Sequence, residues 1–394
     1  MKIRNNPLAL SSVLLFTLLV VLPFGIFSVR SDFSAYIFTG SAYRLFIDQF
    51  KDYLLVFICL YFCSVHSIYI RSFFSISNPL VGLFALYFIF SVNAVFVGRS
   101  ELYVIVQALA YLVISLGIYS ACTAFVFNKK FFVLARIVAS SFVVVLFTIF
   151  LEFYLFGESA VSWSNRWFGI TANPNHLATY SLLNHVIFYL CYRQKSISGS
   201  IFACLCALSV FVGYLSGSRL FVVGLLLFYF LYGSLKVGRR YLSWMLTVSF
   251  FIVFIFIIFG SVSDLFNIFG GDTRVIHWLE ALNSSFSSPF GANDTGNIVA
   301  LESSFISLFY NFGFPLAFAF LSVFILNLYG QFRNSNAEIF ICYFIFIIIC
   351  FFEGVLLARS TFPLFFMCLF YCLYLNRKVF YSNLLLSRLN RYPA

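Results

Sequence analysis

Residues 241–260 read YLSWMLTVSFFIVFIFIIFG, and residues 261–302 continue SVSDLFNIFGGDTRVIHWLEALNSSFSSPFGANDTGNIVALE. The first stretch is an apolar run of bilayer-crossing length, since a spanning helix takes about 20 such residues. The second abruptly gathers Asp264, Asp272, Arg274, His277, Glu280, Asp294 and Glu302, in a chain that holds only 13 acidic residues and 4 histidines. Scarce polar chemistry concentrated beside a membrane segment marks a functional surface, and the remainder reads as the frame that presents it.

The surrounding composition agrees. Hydrophobic residues make up 62% of the 394, charged residues 9%, and phenylalanine alone accounts for 58. A soluble domain carries about 25% charged residues, so this chain cannot cover itself for water. Its formal charge of +11 does not point to nucleic acid, because the basic residues fall in short clusters between apolar runs, as in the loops of a polytopic membrane protein. All ten cysteines lie in or beside apolar segments, which argues against a disulfide framework and against a zinc site. The first apolar run, 8–28, follows Lys2 and Arg4, is long for a signal peptide and is expected to be retained as a span.

Twelve spans are expected, at 8–28, 53–70, 79–98, 102–127, 131–156, 174–192, 197–215, 219–235, 241–260, 303–327, 338–357 and 361–376. The predicted fold class is therefore an all-α, polytopic integral membrane protein: a single membrane domain over 1–394, about 12 transmembrane helices, and one large loop, 261–302, between the ninth and tenth. With both termini cytoplasmic, the inner loops hold fifteen lysines and arginines against eight outside, and Glu338 is the one acid inside. That asymmetry sets the orientation and puts the large loop on the outer, periplasmic face.

In this topology every even-numbered span presents its N-terminus outward, where free N–H groups and the positive dipole end attract anions. The sixth opens on Asn173-Pro174-Asn175-His176, with His176, Tyr180 and Asn184 at i, i+4, i+8; this stripe either bonds between helices or faces a site. Upstream, Arg166 lies between Trp163 and Trp167, which either anchor at the interface or stack on a sugar. The eighth opens on Ser216-Gly217-Ser218-Arg219. An arginine at a helix N-terminus is repelled by the dipole and needs an anionic partner, either a local carboxylate or a phosphate matched by its planar fork. The tenth opens near Glu302, with Ser303, Ser307 and Asn311 as a polar stripe and Gly313 and Pro315 permitting a kink. Within the loop, 273–286 reads as an amphipathic helix with Val275, Leu279, Leu282 and Phe286 on one face and Arg274, His277 and Glu280 on the other. Glu353 and Arg359 flank the last two spans, as an ion pair or as part of the site. No phosphate-binding glycine loop, HExxH or zinc pattern occurs, so nothing in the sequence supports ATP hydrolysis or metal catalysis.

The ordered set Asn173-Pro174-Asn175-His176-Leu177-Ala178, Ser216-Gly217-Ser218-Arg219, Arg274 to Trp278 with Pro289-Phe290-Gly291, and Glu302-Ser303-Ser304-Phe305 with Tyr310-Asn311-Phe312-Gly313 resembles the O-antigen polymerase/ligase superfamily (Wzy and WaaL types) over roughly residues 160–330. The resemblance implies a multispanning glycosyltransferase of the bacterial inner membrane. Its substrate would be an oligosaccharide linked to undecaprenyl pyrophosphate, with no cofactor and no metal, surrounding membrane lipid, and a polysaccharide chain-length regulator (a co-polymerase) as a possible partner. It places the pyrophosphate on Arg219 and Arg274, to which Arg166 is added, and leaves Asn175, His176, Trp278 and Arg359 as sugar-binding or structural residues. Ligases of the family carry a histidine near the start of the following span. Glu302 stands in that neighbourhood here, which favours a polymerase of repeat units over a ligase that transfers polymer to lipid A-core.

The chemistry fits these residues. A departing pyrophosphate needs positive charge where negative charge develops, and an attacking sugar hydroxyl needs a base within hydrogen-bond reach. Glu302 is the first candidate base, since desolvation at a membrane boundary would suit a carboxylate to that role, and His277 is the second. The rival from another class is a transporter such as a lipid-linked oligosaccharide flippase. Against it, the chain shows no internal repeat, and its charges cluster at the outer boundary rather than at mid-membrane.

Overall fold

The computed structural model describes residues 7–23, 42–74, 78–98, 102–156, 174–238, 241, 273–288, 290–293, 303–333, 337–352 and 362–373. Among these the regular structure is entirely helical. In chain order the helices are α1 Pro7–Val21, α2 Ala42–Val65, α3 Pro79–Phe96, α4 Tyr103–Phe127, α5 Phe131–Phe156, α6 Pro174–Arg193, α7 Gly199–Leu215, α8 Arg219–Val237, α9 Thr273–Ser287, α10 Ser304–Arg333, α11 Ala337–Phe352 and α12 Phe362–Leu373. Five of them, α3, α4, α5, α8 and α10, are long and apolar enough to cross a membrane. α2 makes a sixth if its residues from Phe50 are joined to the helical turn Ser67–Phe73, across a bend of 83° at His66. α1, α7, α11 and α12 are shorter apolar helices. The chain is thus a helical, multi-pass membrane protein. The expected span 241–260 beyond its first residue, and the parts of the large loop at 261–272, 289 and 294–302, lie outside the described residues.

The second expected span needs correction. Its helix begins at Ala42, not near residue 53, and breaks at His66. Lys51, expected in a solvated outer loop, is buried inside α2 next to Asp52, at 4% and 6% exposure. Hydropathy stops at these charges. The apolar residues Leu45, Phe46, Phe50, Tyr53 and Phe57 nevertheless recur at helical spacing straight through them, and the spacing decides the helix.

The core is built of α6, α11, α12 and the middle of α4, while Phe57, Phe96, Phe147 and Leu226 stand exposed on the outer helices. In a membrane protein such exposed apolar bulk faces lipid. α6 has the length of a span but is too polar to be counted among the apolar ones. It is also among the most enclosed helices, buried continuously from Leu177 to Cys191. α5, α7, α8 and α11 pack around it, and Phe362 of α12 lies 4.3 Å from the Tyr180 ring. The arrangement follows from its sequence: Thr179, Tyr180, Ser181, Asn184 and His185 are tolerable at membrane depth only where other protein shields them.

His185 shows how the shielding works. Its Nδ1 lies 2.7 Å from Ser209 Oγ on α7, and its Nε2 lies 2.8 Å from Tyr229 OH on α8. Ser209 Oγ donates its own hydrogen to Cys206 O at 2.8 Å, so it accepts from Nδ1–H, and Nε2 accepts from the Tyr229 hydroxyl. A neutral imidazole with its proton on Nδ1 therefore satisfies every group in the chain of bonds. A double-mutant cycle between H185L and Y229F should return a coupling of about 0.6–1.7 kcal/mol, the range of hydrogen bonds between membrane helices. SDS unfolding measures it, and additivity of the two variants would show that the bond contributes nothing.

Close helix approach depends on small residues. A Cβ on Gly117 of α4 would meet Cys59 Cα of α2 at 2.5 Å; on Gly213 it would meet the Phe221 ring at 2.4 Å, and on Gly224 the Leu182 side chain at 2.4 Å.

Side-chain contacts fix which helix ends lie together. Arg193, the last residue of α6, bonds Glu338 at the start of α11 at 2.8 Å and lies 5.9 Å from the ring of Tyr232 near the end of α8. Phe150 of α5 stacks on Phe211 of α7, so the start of α5 with Lys129 and Lys130 lies at the Arg193 end. Asn128 donates to Tyr69 OH at 3.5 Å, bringing Arg71 there, and Ser11 Oγ bonds His66 Nε2 at 3.0 Å, bringing the start of α1. Thr123 Oγ1 lies 3.1 Å from Cys372 Sγ, bringing the end of α12. One end of the bundle thus collects Arg71, Lys129, Lys130, Arg193, Lys195 and Lys236. The starts of α6, α8 and α10 lie at the other.

Candidate functional site

At that other end α9 packs on the first turns of α10. Ala281 and Ser285 are buried, Trp278 and Leu282 half-buried, and Glu280 and Asn283 exposed. Small residues at 281 and 285 let the two backbones approach. Phe286, largely exposed, stacks at 4.5 Å on Phe314 of α10. Apolar periodicity sets Val275, Leu279, Leu282 and Phe286 against the other residues of α9. Buried Ala281 and Ser285 mark the side of α9 that meets α10, and Phe286 of the apolar set reaches α10 as well.

The loop after α9 is held by a break in α10. Gly313 has φ 74° and ψ 172°, outside helical values, and Pro315 follows. The extended ψ turns the next peptide away and Pro315 has no N–H, so the carbonyls of Tyr310 and Asn311 lose their usual helical donors. The loop uses what the kink releases. Ala292 N–H and Asn293 N–H both donate to Tyr310 O, at 2.9 and 3.2 Å, which meets the requirement that buried backbone groups be paired. Gly291, at φ 106°, lies so close to Asn311 O that a Cβ would come within 2.4 Å of it. The stripe below completes the clasp: Asn293 Nδ2 donates to Asn311 Oδ1 at 2.6 Å, Asn311 Nδ2 to Ser307 O at 2.6 Å, and Ser307 Oγ to Ser303 O at 2.7 Å. Ser303, Ser307 and Asn311, which the sequence singles out as a polar stripe, are buried and serve to hold this loop.

The start of α8 is a tight turn. Gly217 adopts φ 59°, and Ser216 Oγ accepts from Ser218 N–H at 3.3 Å while donating to Gly213 O at 2.6 Å. Arg219 is thereby the first residue of α8, is exposed, and has no acidic partner among the described residues. No side-chain hydrogen bond caps this helix, so its first N–H groups and the guanidinium offer donors on the same surface. In the first turn of α6, Asn175 and His176 are half-buried. Further along that stripe Tyr180 stacks on Phe142 at 5.7 Å and Asn184 Nδ2 donates to Tyr180 O at 2.9 Å, so these two serve packing.

The structure therefore brings Asn175, His176 and Arg219 to the end where Trp278 and α9 sit. Arg274 and His277 belong to α9, their side chains being outside those described; Arg166, Glu302 and Arg359 lie outside the described residues. Sequence reasoning missed His185, Lys51 and Asp52. His185 lies one position past the stripe it noticed, and its partners Ser209 and Tyr229 come from two other helices, so no local spacing signals them. Comparison with protein-family models and with curated proteins finds no match to this chain.

Proposed function

We propose that the chain is a metal-independent glycosyltransferase that polymerises oligosaccharide repeat units carried on undecaprenyl pyrophosphate, for a surface polysaccharide of a bacterium. In this reading twelve spans cross the inner membrane with both termini cytoplasmic, and the end bearing α9 and the starts of α6, α8 and α10 faces the periplasm. The separation of helix ends supports that sidedness, because basic residues gather at one end as they do on the cytoplasmic side of membrane proteins. The observation that carries the reaction is Arg219: an exposed guanidinium at an uncapped helix N-terminus, at the end of the bundle that also carries α9, with no acidic partner among the described residues.

The reaction is a displacement. A sugar hydroxyl of one lipid-linked unit attacks the anomeric carbon of another, the bond from that carbon to the pyrophosphate oxygen breaks, and the hydroxyl proton passes to a base, Glu302 or His277. Arg219 and Arg274 neutralise the pyrophosphate as it leaves, where fixed positive charge is most effective. R219A should lower polymer formation by about 10²–10³-fold. R219K should recover only part of it, because an ammonium lacks the planar fork that grips a phosphate.

The test is the size profile of surface and lipid-linked polysaccharide from a deletion strain complemented with wild type or R219A. Single repeat units in place of a ladder support the polymerase. Full-length polymer left on its lipid carrier would make the chain a ligase, and units held on the cytoplasmic leaflet would make it a flippase. A wild-type ladder from R219A present at normal level in the membrane would remove Arg219 from the site.

A further inference from the structure

Two lysines occupy backbone positions that helices ordinarily give to glycine. α4 and α6 end in the same closure. At the end of α4, Lys129 N–H donates to Val126 O at 3.3 Å and Lys130 N–H to Phe125 O at 2.9 Å. At the end of α6, Lys195 N–H donates to Tyr192 O at 2.9 Å and Ser196 N–H to Cys191 O at 2.8 Å. This paired pattern requires a left-handed residue just past the helix. Lys129 at φ 57° and Lys195 at φ 56° supply it, and among the described residues they are the non-glycine positions with positive φ. A glycine would relieve the strain at both. Lysine held there instead, at two separate helix ends, turns attention to what the ammonium does.

Both lysines are exposed and both lie at the end of the bundle that also presents Arg71, Lys130 and Lys236. Glu338 is the described acid at that end, and Arg193 already takes it at 2.8 Å. The other cations therefore face solvent without acidic partners among the described residues. They sit at the ends of the bundle's helices, where a protein that spans a membrane meets the phospholipid headgroups. Lysine near a helix C-terminus also favours the dipole, but that role needs no left-handed residue, because the last helical turn offers unstrained positions.

We propose that this end of the bundle binds the phosphates of anionic phospholipids, with Lys129 and Lys195 as two of its anchoring ammoniums. The partner is fixed by complementarity: an arc of cations at headgroup depth matches a leaflet of anionic lipid and not a zwitterionic one. The inference is independent of the reaction at the opposite end.

The full-length protein in phosphatidylcholine mixed micelles, titrated with phosphatidylglycerol, provides the test through its thermal midpoint. Phosphatidylglycerol should raise the midpoint, whereas added phosphatidylcholine or inorganic phosphate should not. In the K129G/K195G double variant, which keeps the backbone in a conformation glycine prefers, the rise should shrink by roughly a third or more. K129R/K195R, which keeps both charges, should retain it. An equal rise in wild type and the glycine variant overturns the proposal, as does an equal rise from phosphatidylcholine or inorganic phosphate, or loss of the rise in the arginine variant.

Discussion

Replacing Gly291 by alanine is expected to free the loop after α9 from α10 and to cost about 3–6 kcal/mol, as backbone strain plus the loss of up to three hydrogen bonds. Two effects coincide at this residue. Its φ of 106° lies where side-chain-bearing residues are strained, and the added methyl would sit 2.4 Å from Asn311 O and 2.9 Å from the carbon of the same carbonyl. Neither atom can swing aside, because both belong to the backbone of α10. The loop must therefore lift, releasing the bonds of Ala292 and Asn293 to Tyr310 O and of Asn293 Nδ2 to Asn311 Oδ1. Gly98 is the internal control: it has φ 72°, and a methyl added there would meet nothing within 4 Å, so G98A carries the conformational cost alone, about 1–2 kcal/mol. SDS unfolding of G291A, G98A and wild type checks the pair. Equal destabilisation by the two variants would show that the loop is not clasped as described. If the proposed reaction is right, G291A also loses polymer formation, because α9 carries Arg274 and His277.

The second large effect is expected at Gly117, where G117A should destabilise the protein by about 3 kcal/mol, at the upper end for overpacking. The methyl would meet Cys59 Cβ at 2.4 Å, Cα at 2.5 Å and O at 2.8 Å. Since two of these atoms are main chain, α2 and α4 have to move apart, and packing is lost along their whole crossing. Of the three atoms met, C59G removes only the Cβ, so it should not restore stability. Gly213 provides the contrast. There the clash is with the ring of Phe221, so F221L should recover much of what G213A loses. Thermal midpoints of the two single variants and two double variants decide it: rescue of G117A by C59G would mean that the helices are not held at backbone contact.

The helical, multi-pass character of the chain was legible because hydropathy reports burial from water, and lipid and protein interior look alike to it. That is also why it misjudged α2. Lys51 and Asp52 are polar enough to end a hydropathy window, yet they are enclosed within the bundle, and enclosure by other helices leaves no local trace. Asn78 shows the opposite case. Its side chain accepts from Leu80 N–H at 3.1 Å ahead of Pro79, a start that residue type alone announces. At the site, the helix start at Arg219 follows from the Ser216-Gly217-Ser218 turn and the helix at 273–287 from apolar periodicity. The stripe at Ser303, Ser307 and Asn311 was visible too, but its task was not, because that depends on carbonyls released by the turn at Gly313 and taken up by a loop some twenty residues earlier.

The enclosure of α6 bears on how the protein is made. A segment emerging from the ribosome is sorted into the bilayer by its own apolarity, and the helix carrying Thr179, Ser181, Asn184 and His185 offers little of it. Its later neighbours α7 and α8 supply the partners Ser209 and Tyr229. The order of synthesis therefore leaves α6 waiting for sequence not yet translated, and its entry into the membrane is a cooperative act of a three-helix unit rather than the insertion of one helix at a time.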